Sequence, residues 1–121
     1  MNLEIKSFAD VGDIEKERLV LRVLNDEDIG GYLVLRSKAT TDGAPISGSK
    51  RAYWFPDKRL KAGDLVVLYT RTGKTSQKSL ARGGTSYFFY WQLSEPIWGA
   101  DSGNTAVLLT IREWTNAVPG E

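Results

Sequence analysis

Four cations spaced through one glycine-bearing stretch are the side chains best suited to hold an anion: Arg71, Lys74, Lys78 and Arg82. Thr72, Thr75, Ser76 and Ser79 lie among them, and Lys50, Arg51, Lys58, Arg59 and Lys61 precede them. Cations that release counterions, with hydroxyls that position a strand, are the mixture that binds a phosphate backbone. No acid occurs between Asp64 and Glu95. The same residues also read as a solvated loop whose lysines keep sheet edges from pairing. Next comes Tyr87-Phe88-Phe89-Tyr90-Trp91. Successive strand side chains point to opposite faces, so Tyr87, Phe89 and Trp91 share one face and Phe88 and Tyr90 the other. One set belongs to a core. The other, beside the cations, makes a protein interface or a base-stacking platform, unless the 71–84 stretch covers it. The binding expectation therefore rests on Arg71, Lys74, Lys78, Arg82, Phe88 and Tyr90.

Catalysis has few residues to draw on. The chain lacks histidine and cysteine, which removes the commonest general base and metal ligand, every thiolate nucleophile and any disulfide framework. Gly73-Lys74-Thr75 has the ending of a phosphate-binding loop, but such a loop needs a glycine five residues before its Gly-Lys step. Leu68 stands there, inside a strand pattern. Asn25-Asp26-Glu27-Asp28 is the densest group of oxygen ligands, with Asp10, Asp13, Glu15 and Glu17 upstream. Its spacing fits a solvated acidic turn better than a calcium loop. A carboxylate hydrolase would need two acids at glycosidase separation, and no pair stands out. A carbohydrate-binding module is a further reading, because sandwich aromatics stack on sugars; the basic bias favours anionic ligands instead. The expectation is a non-enzymatic protein with no cofactor and no metal.

These residues need elements to position them. At 121 residues the chain has the size of one domain, and 41% apolar content with thirteen aromatics supports a packed core. Net charge is +1 but uneven: residues 1–35 balance at −4, residues 36–94 at +8 and residues 95–121 at −3. The start, Met1 to Lys6, lacks a charged-then-apolar leader, and no run approaches the roughly 18 apolar residues of a membrane span. A cytoplasmic protein, not associated with membranes, is expected.

The hydrophobic period is two. Leu3, Ile5 and Phe8 open a first strand. Arg18–Leu24 alternates, with Leu19, Leu21 and Val23 on one face. Tyr32–Arg36 returns after the turn Asn25–Gly31. Ala52–Phe55, Leu65–Tyr69, Ser86–Trp91 and Thr105–Arg112 complete the set. Val11–Lys16 is the only helical candidate, the 71–84 stretch reads as a long exposed loop, and residues 115–121 as a frayed tail. Trp54 and Trp98 read as core or corner residues. The pattern predicts a single all-β domain of about seven short antiparallel strands, a sandwich or a barrel.

From Tyr53 to Ile111 the chain resembles the lamin-tail family of immunoglobulin-like domains. The resemblance is carried in order by Phe55-Pro56, Leu60, Gly63-Asp64, Val66 to Tyr69, Thr72-Gly73, Tyr90-Trp91, Ile97-Trp98 and Gly103-Asn104-Thr105-Ala106-Val107-Leu108. Upstream, Glu17-Arg18-Leu19-Val20 and Gly31-Tyr32 stand where the family has a Glu-containing stretch and a Gly-Trp step, so Tyr32 departs from the pattern. The resemblance implies an all-β, immunoglobulin-like β-sandwich used as an interaction module, with protein and DNA both proposed as partners, and no catalytic residues. A homo-oligomer that buries Phe88 and Tyr90 between subunits is the alternative.

Overall fold

Alternating apolar and polar side chains give each strand one buried face, and two such sheets close on one another. The computed structural model describes residues 1–120. It is an all-β, immunoglobulin-like sandwich built from β1 Leu3–Ala9, β2 Arg18–Val23, β3 Glu27–Asp28, β4 Tyr32–Lys38, β5 Arg51–Trp54, β6 Arg59–Leu60, β7 Leu65–Tyr69, β8 Ser76–Ser79, β9 Thr85–Tyr90 and β10 Asn104–Thr110. One sheet runs β1-β2-β7-β9-β8, the other β10-β4-β5, and β3 pairs with β6. No helix among the described residues is long and apolar enough to cross a membrane.

The seven expected strands are present. The additions are β3, β6 and β8, and they correct the reading of residues 71–84 as one loop. Ser76–Ser79 pairs antiparallel with β9 while all four residues stay exposed. An edge strand needs only backbone partners, so no hydrophobic alternation marked it. A second correction concerns direction: β7 and β9 are parallel. The chain leaves β7, crosses the end of β9, forms β8 at the sheet edge and returns by a hairpin between the two. The Val11–Lys16 segment reduces to turns closed by the Lys16 and Glu17 N–H groups donating to the Asp13 carbonyl.

Leu19, Leu21 and Val23 of β2, Val66 and Leu68 of β7, and Phe89 of β9 meet Tyr32 and Val34 of β4, with Phe55, Trp91 and Trp98 closing the core. Trp98 is buried as expected. Trp54 is not: it stands opposite Leu33 on the outer face of the three-stranded sheet and is 48% exposed.

The carboxylates at this level are structural. Glu17 is wholly buried. Its Oε1 accepts from the N–H groups of Gly12 at 2.9 Å and Trp98 at 3.1 Å. Its Oε2 accepts from the Thr70 hydroxyl at 2.5 Å and the Ile97 N–H at 2.9 Å. Of the Asn25–Asp28 acids, Asp26 is exposed, as a solvated turn requires, while Glu27 and Asp28 are half-buried in β3. Asp26 accepts from the Ala62 N–H, and one Asp28 oxygen accepts from the N–H groups of both Gly30 and Lys58, tying the 58–62 segment to β3.

Glu27 Oε2 accepts from Asn2 Nδ2 at 3.0 Å and the Tyr32 hydroxyl at 3.1 Å. Burial works to raise its pKa. The hydrogen bonds from Asn2, the Asp28 N–H and Tyr32, with the field of Arg59, outweigh burial and hold the carboxyl below its ordinary 4.5. Because the folded-state pKa is the lower one, this contribution is complete above the unfolded-state value and disappears as pH falls through the folded value. Urea unfolding at pH 6 and pH 3 will therefore show a smaller acid loss for Glu27→Gln than for wild type. Parallel losses would refute the linkage.

Candidate functional site

The cations expected to act together are held at separate points of the five-stranded sheet. Arg71, just beyond β7, pairs with Glu15 at 3.3 Å. Lys74 lies in the segment that crosses the end of β9. Lys78 stands opposite Ser86 and so shares the outer face with Phe88 and Tyr90. Arg82 lies in the β8–β9 turn, where its guanidinium donates to the Gly63 carbonyl at 3.0 Å. Strand β8, about 13 Å long, separates Lys74 from Arg82. The side chains of Lys74, Lys78 and Arg82 make no ion pair among the described residues.

Phe88 and Tyr90 point outward and Phe89 inward to the core, as alternation requires. Tyr69, the cross-strand partner of Tyr90, joins them and stacks on it with centroids 5.2 Å apart and planes 12° from parallel. On the β2 side, the Arg18 guanidinium lies 5.8 Å from the Tyr69 centroid. Tyr69 is thus flanked on both sides, by an arginine and by an aromatic ring, an arrangement the ring quadrupole favours. The crossing segment lies against Tyr90: a Cβ at Gly73 would come within 2.4 Å of its ring carbons. Gln92 fixes the crossing, its amide accepting from the Gly73 N–H and donating to the Gly73 carbonyl. Arg18 and Arg22 of the same face pair with Asp10 and Glu4.

The three-stranded sheet presents a different outer surface. Register places Leu33 and Leu35 of β4, Ala52 and Trp54 of β5, and Val107 and Leu109 of β10 on that one face. Trp114, 64% exposed, packs edge-on against Trp54 with centroids 5.1 Å apart. The row of outer positions contains no charge between Leu33 and Leu35 or between Val107 and Leu109.

This face ends at β10, and β10 differs from the other edges. Strand β1 carries Glu4 and Lys6 and is broken by a bulge between Ile5 and Ser7. Strand β8 has four residues and a lysine, and β5 has four residues beginning with Arg51. Charges, bulges and shortness are the devices that stop edges from pairing. Strand β10, Asn-Thr-Ala-Val-Leu-Leu-Thr, is seven residues long, unbulged, and free of charge and proline. Residues 105–110 make backbone hydrogen bonds only within the β4 ladder among the described residues.

Sequence reasoning missed this surface because Leu33-Val34-Leu35 and Val107-Leu108-Leu109 are unbroken apolar runs. Such runs read as strands buried on both faces. Here the outer residues Leu33, Leu35, Val107 and Leu109 are half-buried rather than enclosed, so the runs were themselves the signal. No protein-family model and no curated protein sequence matches the chain.

Proposed function

We propose that the protein is a non-enzymatic interaction module that assembles by strand addition, its β10 edge pairing antiparallel with β10 of a second copy. The carrying observation is that β10 alone among the four edges of the two main sheets has none of the protective features. Its sequence suits a two-fold axis at Val107, which sets Thr105 opposite Leu109 and Ala106 opposite Leu108. No like charges meet in that register. Pairing would join two three-stranded sheets into one of six strands, with the apolar outer face running across the junction. Sedimentation velocity over a wide concentration range tests this. A concentration-dependent dimer is expected, and a strict monomer at high concentration would exclude it.

A second reading places an anionic polymer along β8. It rests on Lys74, Lys78 and Arg82, whose charges have no ion-pair partner among the described residues, beside the outward Phe88. Fluorescence anisotropy of a labelled DNA duplex and single strand would show binding that weakens steeply with salt and is lost in the triple alanine variant. Absence of binding at low salt would remove this reading.

A further inference from the structure

A cleft of about 470 Å³ opens where the inner face of β4 and β5 meets the connector after β9, and two arginines line it, Arg36 and Arg51. Their position breaks the sandwich pattern. Tyr32 and Val34 point into the core, so Arg36, two residues on, continues the same inward row. Arg51 stands directly opposite Arg36 across the β4–β5 ladder, as Tyr53 stands opposite Val34. Two positions whose alternation calls for apolar side chains are thus both cations. Like charges directly opposite one another on a sheet repel, and neither arginine has a carboxylate within ion-pair distance among the described residues.

Two polar atoms there are also left without partners. Arg36 Nε is buried with no acceptor, and Asn104 Oδ1 is buried with no donor, while Asn104 Nδ2 is fixed by the Ile97 carbonyl at 2.7 Å. Buried groups without partners are uncommon, and local rules are broken most often where a ligand restores them. We infer that this cleft binds the phosphoryl group of a small hydroxylated molecule between Arg36 and Arg51. Paired guanidinium groups match phosphate oxygens in charge and geometry. Thr72 and Ser94 line the same cleft and bring hydroxyl donors; the exposed Glu95 is the one acid in its lining, against two arginines. A ligand hydroxyl would supply the donor that Asn104 Oδ1 lacks. The volume lies in the range of small-molecule sites. Of β10 the cleft includes only Asn104, outside residues 105–109 of the proposed pairing, and it includes none of Lys74, Lys78 and Arg82.

Thermal unfolding and calorimetric titration with inorganic phosphate, glycerol 3-phosphate and acetate, at matched ionic strength, test the assignment. Phosphate should raise the melting temperature saturably, glycerol 3-phosphate should bind more tightly, and acetate should have little effect. Arg51 is exposed at the start of its strand, so Arg51→Gln should fold and yet bind phosphate about tenfold or more weakly. Lys6→Gln, which removes an exposed cation of β1, should bind as wild type does. The assignment fails if Arg51→Gln retains full affinity, if Lys6→Gln loses it, if acetate matches phosphate, or if no saturable shift occurs. Equal affinity for the two phosphates would overturn the hydroxylated ligand. Should Arg36→Gln not fold, Arg51→Gln alone decides.

Discussion

Replacing Glu17 by alanine will leave the chain destabilised by about 3 kcal/mol or more, because four donors lose their acceptor and each of the three whose bonds are buried costs about 1–3 kcal/mol when stranded. The donors are the Thr70 hydroxyl and the N–H groups of Gly12, Ile97 and Trp98. They belong to three irregular segments: the turn before β2, the end of β7, and the connector to β10. None of these segments has a sheet ladder to satisfy its N–H groups, so one carboxylate does the work of a ladder for all three. A domain of this size has only about 5–15 kcal/mol in total, so the variant will be largely unfolded in mild urea. Glu17→Gln distinguishes the loss of acceptors from the loss of volume. Its side chain fills the same space and keeps one oxygen, while its NH2 group can meet the Thr70 hydroxyl, which can turn to accept. One backbone N–H then remains opposed by a donor, and the expected loss is about 1–3 kcal/mol. Urea unfolding followed by the fluorescence of buried Trp91 and Trp98 measures both. A midpoint for Glu17→Ala equal to wild type would show that the four contacts contribute nothing net.

Glu17 also marks the boundary of what the amino-acid order conveys. The inward row of β2 was legible because Leu19, Leu21 and Val23 alternate with less buried neighbours, whereas β7 is apolar throughout and buried at Val67 as well, and in β9 alternation sorted the aromatics into two sets without saying which was core. In β2 each residue type states its own burial. A glutamate states the opposite, since acids are rarely buried unless several donors converge on them. Those donors are backbone N–H groups from residues 12, 97 and 98, which carry no side-chain signature. The same limit hid β8, whose pairing lies entirely in the backbone. It also hid the arginine pair, because Arg36 and Arg51 become neighbours only through the β4–β5 register. The expected cluster of Arg71, Lys74, Lys78 and Arg82 shows the converse. Closeness along the chain was legible, but the strand that forms between these cations holds them apart. Trp54 and Trp98 differ for a related reason: register turns Trp54 to the outer face of β5, while Trp98 lies in the connector after β9, where its N–H donates to Glu17 and its ring packs on Trp91.

Placing a lysine at Val107 will abolish β10-mediated dimerisation while leaving the fold intact. Val107 points to the outer face, opposite Leu35 and away from the core, so the substitution leaves the packing of Val34 and Leu108 unchanged. In the proposed pairing, residue 107 of one copy stands against residue 107 of the other. The two-fold axis therefore doubles the substitution into a direct lysine–lysine opposition. Like-charge juxtaposition at an interface costs several kcal/mol, and a weakening of about a hundredfold or more is expected in sedimentation equilibrium. Leu35→Lys is the informative companion. It adds the same charge to the same apolar face, one strand in from the edge, and removes a similar apolar area without touching the β10 backbone. Edge pairing requires that Leu35→Lys weaken the dimer far less than Val107→Lys. If the two variants dissociate it equally, the copies meet face to face through Leu33, Leu35, Trp54 and Leu109, and strand addition is wrong. Circular dichroism and unfolding midpoints close to wild type in both variants would establish that the differences arise at the interface. The decisive contrast is positional, because the two substitutions share chemistry, face and exposure and differ in whether the residue lies on the open edge.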